Sequence, residues 1–321
     1  MEAEALEFID HSPVETRLRD EVVAGLSRTP KVLSPKLFYD AEGSRLFDAI
    51  CHTPEYYPTR TEMGILRDKA EEIASLVGEG ALLIEPGSGS SDKVRLLLDA
   101  LRPAVYMPMD ISRDHLYEAA RRLARAYPWL SVQAACADFT LDETLPLCPP
   151  GMRRIVFFPG STIGNFEPEQ AVGFLRRIAD LIGSDGGLLI GVDLKKEAAV
   201  LNRAYNDAAG ITAAFNRNLL QRMRRELRAV VEIERFEHHA FYNSEAGRVE
   251  MHLRSTMAQA IEVGGFSFAF EEGETIHTEN SYKYSVDEFT ALAERGGLRS
   301  VQVWSDKDNL FSVHYLTRRQ S

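Results

Sequence analysis

The chain's most pointed cluster of chemistry-capable residues begins where a strand-forming run, Leu82-Leu83-Ile84, ends in Glu85. A glycine-rich turn follows, Pro86-Gly87-Ser88-Gly89-Ser90-Ser91, and then a helical stretch from Asp92 to Leu101 with Lys93 in its first turn. Glycines let backbone approach a ligand closely, and a helix start presents N–H groups that no carbonyl of the helix accepts. The spacing matches neither the Gly-x-x-x-x-Gly-Lys-Ser/Thr phosphate loop nor a full Gly-x-Gly-x-x-Gly fingerprint. Further polar residues follow successive strand-like runs: Asp110 after Val105 to Met109, and Asp138-Phe139 after Ser131 to Ala135. Asn165, in the loop from Pro159 to Phe166, follows Ile155 to Phe158, and Asp193 follows Gly187 to Val192. One acid after a strand is ordinarily a turn or helix cap. A succession of them along one edge is harder to assign to capping alone.

Helical stretches separate these runs: Thr61 to Val77, Ser112 to Tyr127 and Pro168 to Ile182. Strands alternating with helices of this length predict an α/β fold with a doubly wound parallel sheet, whose ligands bind outside the carboxyl ends of the strands. The pattern then changes. Lys195 to Ala208 and Ile211 to Leu227 read as helices, with Arg222, Arg224, Arg225 and Arg228 forming a solvated face. Val230 to Asn243, Arg248 to Val263 and Phe266 to Glu279 read as long strands, with a hairpin turn at Asn243 to Gly247. A helix over Val286 to Arg295 and strands over Leu298 to Trp304 and Leu310 to Thr317 would return to the first sheet as an antiparallel pair. Near the start, Pro13 introduces a helix over Val14 to Ser27 with Leu18, Val22 and Leu26 on one face. Thr29 to Arg60 is rich in proline and aromatics, and Tyr39 and Tyr56 either pack there or point phenols into a site. The expected division is 61–195 plus 282–321 as one domain, with 1–60 plus 196–281 as a second, α+β domain capping the carboxyl edge.

The 321 residues are 45% hydrophobic and 26% charged, enough for a sizeable soluble core. A formal net charge of −11 argues against a nucleic-acid partner, which would need a basic footprint. Cys51, Cys136 and Cys148 are an odd set without Cys-x-x-Cys, which suggests reduced thiols in a cytoplasmic setting and neither a disulfide frame nor a metal site. The acidic start (Glu2, Glu4, Glu7) lacks a signal pattern, and no apolar run approaches membrane-span length.

Longer strings carry a resemblance. The glycine loop looks like the first loop of class I S-adenosylmethionine-dependent methyltransferases. Further strings are Pro54-Glu55-Tyr56-Tyr57-Pro58-Thr59-Arg60-Thr61-Glu62, Gly160 to Asn165, Tyr205-Asn206-Asp207, Ala214-Phe215-Asn216-Arg217-Asn218 and Glu250-Met251. With Glu85 to Lys93 and the stretch from Pro35 to Asp40, they resemble the histidine-specific methyltransferases of that class. The resemblance implies a Rossmann-like cofactor domain with a substrate-binding domain. The implied reaction is Nα-trimethylation of L-histidine to hercynine in ergothioneine biosynthesis, with S-adenosylhomocysteine as by-product, by a cytoplasmic monomer. It implies that Glu85, Gly87, Lys93 and Gly160 belong to the cofactor loops, that Asp110 takes the ribose hydroxyls, and that Asp138 and Phe139 contact adenine. Tyr56, Asn165 and Tyr205 match the groups holding the amino-acid end. Glu279 and Ser281 match the imidazole readers, with Met251 nearby. Asn280 departs from the pattern, which has an apolar residue there.

The chemistry of these roles is simple. A carboxylate can accept both ribose hydroxyls. Methyl transfer is an in-line displacement that needs a neutral amine about 3 to 3.5 Å from the methyl carbon, so proximity does most of the work and no metal is required. No base stands out; water and the phenols of Tyr39 or Tyr56 are candidates. Glu-x-Ser on an extended segment places both side chains on one face, suited to an imidazole's donor and acceptor. Two other readings remain: methylation of another aromatic amino acid such as tryptophan, and a cofactor-binding scaffold with no turnover. An indole would favour an apolar residue at Glu279. A scaffold would release no S-adenosylhomocysteine.

Overall fold

A computed structural model describes residues 6–10, 15–140 and 151–319. Pro13, Val14 and Cys148 lie outside the described residues, as do Glu2 and Glu4. In chain order the first elements are β1 (Leu6–Asp10), α1 (Glu15–Leu26), β2 (Lys31–Val32), α2 (Ala41–Cys51), α3 (Tyr57–Val77), β3 (Leu82–Pro86), α4 (Asp92–Leu101), β4 (Val105–Asp110), α5 (Arg113–Ala126) and β5 (Ser131–Cys136). Then come β6 (Arg154–Phe158), α6 (Pro168–Ile182), β7 (Gly187–Asp193), α7 (Ala198–Ala204), α8 (Ile211–Leu227), β8 (Phe236–Asn243), β9 (Arg248–Ser255), β10 (Gln259–Val263), β11 (Phe266–Phe270) and β12 (Thr275–Tyr282). The chain closes with α9 (Val286–Arg295), β13 (Leu298–Ser305) and β14 (Phe311–Arg318). The elements fall into two compact units: Met1–Ser12, Pro58–Lys195 and Tyr282–Ser321 in the first, Pro13–Tyr57 and Lys196–Ser281 in the second.

The first unit holds an eight-stranded sheet in the order β1-β5-β4-β3-β6-β7-β14-β13. β1 and β3 to β7 run parallel, and β14 is antiparallel to both β7 and β13. Alternate residues of each strand feed opposite cores. Leu82, Ile84, Met107, Val156 and Leu188 pack towards α6 and α9, while Leu83, Tyr106, Ile155 and Leu189 pack towards α3, α4 and α5. Burial on both faces is why these strands read as nearly continuous apolar runs. The order reverses between β3 and β6, so the crevice expected of such a sheet opens where the loops after those two strands diverge.

β1 is a departure. Residues 6–10, expected in the second domain with the rest of 1–60, pair in parallel with β5 at the edge of the main sheet. Leu6 and Phe8 pack on the core there, but so short an alternation is too weak a signal without its partner strand.

The second unit contains the four-stranded sheet β2-β12-β9-β8 and the separate hairpin β10-β11. The long strands expected over 248–263 and 266–279 are each broken. Ser255 turns away through its hydroxyl to the Met257 carbonyl (2.7 Å), and Gly273 adopts φ +83 in the turn before β12. α8 lies against this unit's sheet: the Asn216 amide donates to the His252 carbonyl (2.9 Å) and accepts from the Thr278 hydroxyl (2.8 Å). The arginine face of α8 is more than solvated surface. Arg222 donates to the Leu37 carbonyl (3.0 Å), Arg224 to the Val231 carbonyl (2.6 Å), and Arg225 pairs with Asp40.

Within the first unit, Asp193, expected among the ligand-facing edge acids, is committed elsewhere. It forms an ion pair with Lys283 at 2.8 Å, both side chains almost wholly buried. The Lys195 N–H donates to the Tyr284 carbonyl (3.0 Å), so the segment after β7 and the one after β12 are tied side by side. Removing one member of such a pair leaves an uncompensated buried charge, whereas removing both does not. Asp193→Asn and Lys283→Met should each cost about 3 to 5 kcal/mol, and the double variant less than the sum. Urea unfolding of the four proteins reads this directly, and additive losses would show that the two charges act independently.

Candidate active site

At the carboxyl end of β3, Gly87 sits at φ +69, where a side chain would be strained, and a Cβ there would stand 3.3 Å from the Phe139 ring. The Gly87 and Ser88 N–H groups both donate to the Met109 carbonyl (2.7 and 3.0 Å), pinning the loop to the end of β4. Asp110 then accepts from the Gly89 N–H (3.1 Å) and the Ser112 N–H (2.9 Å). A carboxylate offers about four acceptor positions, so these two leave capacity for a pair of hydroxyls. Burial pushes the Asp110 carboxyl above its ordinary range, opposed by those two N–H groups. Asp138 accepts from the Thr140 N–H (3.0 Å) and hydroxyl, and Phe139 meets Phe158 and Phe174 edge-on at 5.8 and 6.2 Å. Gly87, Asp110, Asp138 and Phe139 are thus assembled at one edge of one sheet.

Glu85 differs from its neighbours. It is 1% exposed, accepts from the Tyr106 hydroxyl, and burial pushes its carboxyl from 4.5 up to about 8, the Tyr106 bond and the Lys93 charge pulling the other way. Beneath the glycine loop it is therefore a protonated, uncharged group at neutral pH.

The sequence reading gave no role to Glu62, although it stands in one of the resembling strings. It is fully buried on α3, pairs with the Lys93 ammonium at 2.7 Å, and accepts the Gly160 N–H with both oxygens (3.0 and 2.9 Å). A Cβ at Gly191 of β7 would lie 1.9 Å from its carboxylate, so the glycine is required there. A glutamate inside a helical pattern carries no local sign of such partners. Gly160, at φ +81, opens the loop after β6. A turn of 3-10 helix over Thr162–Asn165 follows, entered through Ser161, whose hydroxyl accepts the Asp193 N–H (2.9 Å). Asn165 ends that turn, half-buried.

The second unit gathers the other candidates. Tyr39 follows a 3-10 turn over Pro35–Phe38, and its ring meets Phe47 and Phe215 edge-on at 5.8 and 5.9 Å. Tyr56 stands edge-on to Phe47 (6.4 Å) and to Tyr205 (6.2 Å). Tyr205 caps α7, and its hydroxyl donates to the Ser281 hydroxyl at 2.8 Å, both residues buried. Glu279, Asn280 and Ser281 all lie on β12, the extended segment that a Glu-x-Ser pair needs. Met251 is buried on the adjacent strand β9, and its carbonyl accepts from Thr278 (3.0 Å). Asp40, the next residue, caps α2 through the Gly43 N–H (2.6 Å) and accepts from Asn218 (2.9 Å).

Among the described residues one group has a metal-ligating composition, Glu250, His252 and His277. Its carboxylate is already engaged: Oε1 accepts from Arg248 (2.8 Å) and Asn243 (3.0 Å), and Oε2 lies 3.0 Å from His252 Nε2. The guanidinium holds the Glu250 carboxyl down at about 2, against the effect of its burial, and it also opposes a cation. The group reads as an internal network across β8, β9 and β12.

The strand order, the glycine loop after β3 and the acid after β4 define a class I S-adenosylmethionine-dependent methyltransferase domain. The chain belongs to the histidine-specific, S-adenosylmethionine-dependent methyltransferases, whose family model matches residues 18–318. It is 43% identical to a histidine N-alpha-methyltransferase of Mycolicibacterium smegmatis over 94% of this chain and 95% of that one. It is 42% identical to the enzyme of that name from Mycobacterium tuberculosis, over 92% and 93%. A 4-dimethylallyltryptophan N-methyltransferase of Aspergillus fumigatus is 29% identical over 94% and 93%.

Two measurements follow from this geometry. Asp110→Ala should weaken S-adenosylmethionine binding by about 1.5 to 3 kcal/mol, the worth of hydrogen bonds to a charged group, in a protein that still folds. Calorimetric titration decides it, and unchanged affinity would remove Asp110 from the site. Glu85 makes stability pH-dependent. Between its ordinary 4.5 and about 8 the folded chain holds a proton that the unfolded chain releases, so its contribution falls as pH rises through that window. Glu85→Gln should gain stability relative to wild type from pH 5 to pH 8; a constant difference would mean that Glu85 is ionised in the fold.

Proposed function

We propose that the protein trimethylates the α-amine of L-histidine with S-adenosylmethionine, giving hercynine and S-adenosylhomocysteine, the first step of ergothioneine biosynthesis. The observation that carries this reading is the 43% identity, over nearly the full length of both chains, to a histidine N-alpha-methyltransferase. The bound donor supplies an electrophilic methyl on a sulfonium sulfur. Asp110 takes the ribose hydroxyls, Asp138 and Phe139 the adenine, and Gly87, Lys93 and Gly160, above Glu85, shape the loops that receive the rest. Gly87's positive φ and the acceptor capacity left on Asp110 fit that group.

Tyr56, Asn165 and Tyr205 hold the amino-acid end of histidine, which fixes the amine for in-line attack. The amine must shed a proton to solvent before each transfer, and water and the phenols of Tyr39 or Tyr56 are the candidates to relay it. Glu279 accepts the imidazole N–H. Ser281, whose hydroxyl is hydrogen-bonded to the Tyr205 phenol at 2.8 Å, serves the other ring nitrogen. Met251 lines the ring, and Asn280 adds a polar group beside the reading pair. Each methylated intermediate up to dimethylhistidine keeps a lone pair and the quaternary product has none, so transfer ends at three. The protein acts in the cytoplasm as a monomer on this small substrate. Among the described residues no helix is long and apolar enough to cross a membrane, and the net charge of −11 disfavours nucleic acid.

The relatives acting on 4-dimethylallyltryptophan make the discriminating experiment clear. Sites that hydrogen-bond a substrate group discriminate more strongly than apolar pockets do. Glu279→Ala should lower kcat/KM for histidine by about 30- to 5,000-fold, the range of a broken desolvated charged hydrogen bond, while cofactor affinity stays constant. Activity on tryptophan should fall far less or rise. Equal loss on both amino acids, read by mass spectrometry of the products, would make Glu279 structural and move the imidazole contact elsewhere.

A further inference from the structure

The carboxylate of Glu62 stands across the point where the strand order of the first unit reverses. One of its partners, Lys93, belongs to the helix after β3; the other, the Gly160 N–H, opens the loop after β6 that runs on to Asn165. Those are the two loops that flank the ligand crevice of a doubly wound sheet. The lysine side chain is 20% exposed and the glutamate 1%, so the acidic half of the pair is under cover and the ammonium is partly reached by solvent. The Lys93 ammonium would lie 3.2 Å from a Cβ on Gly160, which brings carboxylate, ammonium and loop backbone into one contact. Gly191 leaves the room beneath that the carboxylate occupies.

We propose that Glu62 is a positioning residue for the methyl-transfer site: it sets the Lys93 charge for the cofactor and, separately, holds the loop that carries Asn165. The proposal rests on the methyltransferase reading above. Its two tasks use different chemistry and can be pulled apart. The first needs a negative charge. The second needs only an acceptor for the Gly160 N–H. Glutamine keeps a carbonyl oxygen for that N–H but turns an amide NH2, itself a donor, towards the Lys93 ammonium. Alanine removes both functions.

The test uses the full chain with S-adenosylmethionine and histidine, wild-type turnover to methylated histidine being the control on the underlying reading. Glu62→Gln should raise the Kd for S-adenosylmethionine about 10-fold or more, the reach of one charged hydrogen bond, with kcat at saturating cofactor near wild type. Glu62→Ala should in addition lower that saturated kcat by about 100-fold, the cost of misplacing a substrate anchor by about 1 Å. Lys93→Met should weaken cofactor binding in the same way, and Glu62→Gln on top of Lys93→Met should change Kd no further. Should Glu62→Gln alone fail to fold, the double variant, which leaves no buried charge unpaired, still makes the comparison with Lys93→Met. Wild-type Kd in folded Glu62→Gln, or losses that multiply in the double variant, would overturn the proposal and leave Glu62 a packing residue only. An inactive wild type with intact cofactor binding would instead refute the histidine reading.

Discussion

A parallel sheet covered by helices on both faces has no room for charge except at the ends of its strands. In the first unit that constraint governs nearly every polar residue of interest. β3, β4 and β7 are apolar until their carboxyl ends, and Glu85, Asp110 and Asp193 fall at or next to their last residues. Each acid then meets a different solution to its burial. Asp110 is supported by two backbone N–H groups, Asp193 by the buried Lys283 ammonium, and Glu85 by holding its proton. Asp110 keeps acceptor capacity to spare beside those two N–H groups, which is what a ligand site requires.

Electrostatics divides the same edge into structural and ligand-facing parts. The Asp193–Lys283 pair ties the segments that leave and rejoin the first unit, and no solvent reaches it. The Glu62–Lys93 pair has one member partly exposed and borders the glycine loop. A buried pair is weak evidence of net stability, since desolvation offsets much of the attraction. Its stronger consequence is geometric: an unpaired charge is so costly that both partners stay where they are.

The second unit works by a different principle. Four of its candidate residues, Tyr39, Tyr56, Tyr205 and Ser281, are aromatic or hydroxyl-bearing, and they are held by packing and by neutral hydrogen bonds. Phe47 and Phe215 brace Tyr39, Tyr56 leans on Tyr205, and Tyr205 fixes Ser281. Such an arrangement suits discrimination, because hydrogen-bonding groups buried among rings penalise any substrate that leaves them unmatched.

Local sequence pattern determined the alternation of strands and helices, the glycine loop, the polar residues at the strand ends and the split into a parallel-sheet unit and an inserted unit. These follow from periodicities of 2 and 3.6 and from glycine's freedom of φ, all properties of neighbouring residues. Partners distant along the chain were beyond it. Glu62 meets Gly160 across 98 positions, and although it ends one of the resembling strings, nothing in the helical pattern around it names that partner. Asp193 looked like one more ligand-facing acid until Lys283 was brought against it, and the α8 arginines looked solvated until carbonyls and Asp40 accepted from them. β1 needed β5 to become a strand, and the turns at Ser255 and Gly273 cut runs whose composition alone reads as continuous. Which buried charge faces which partner is a long-range choice made by packing, so the tertiary structure alone decided it.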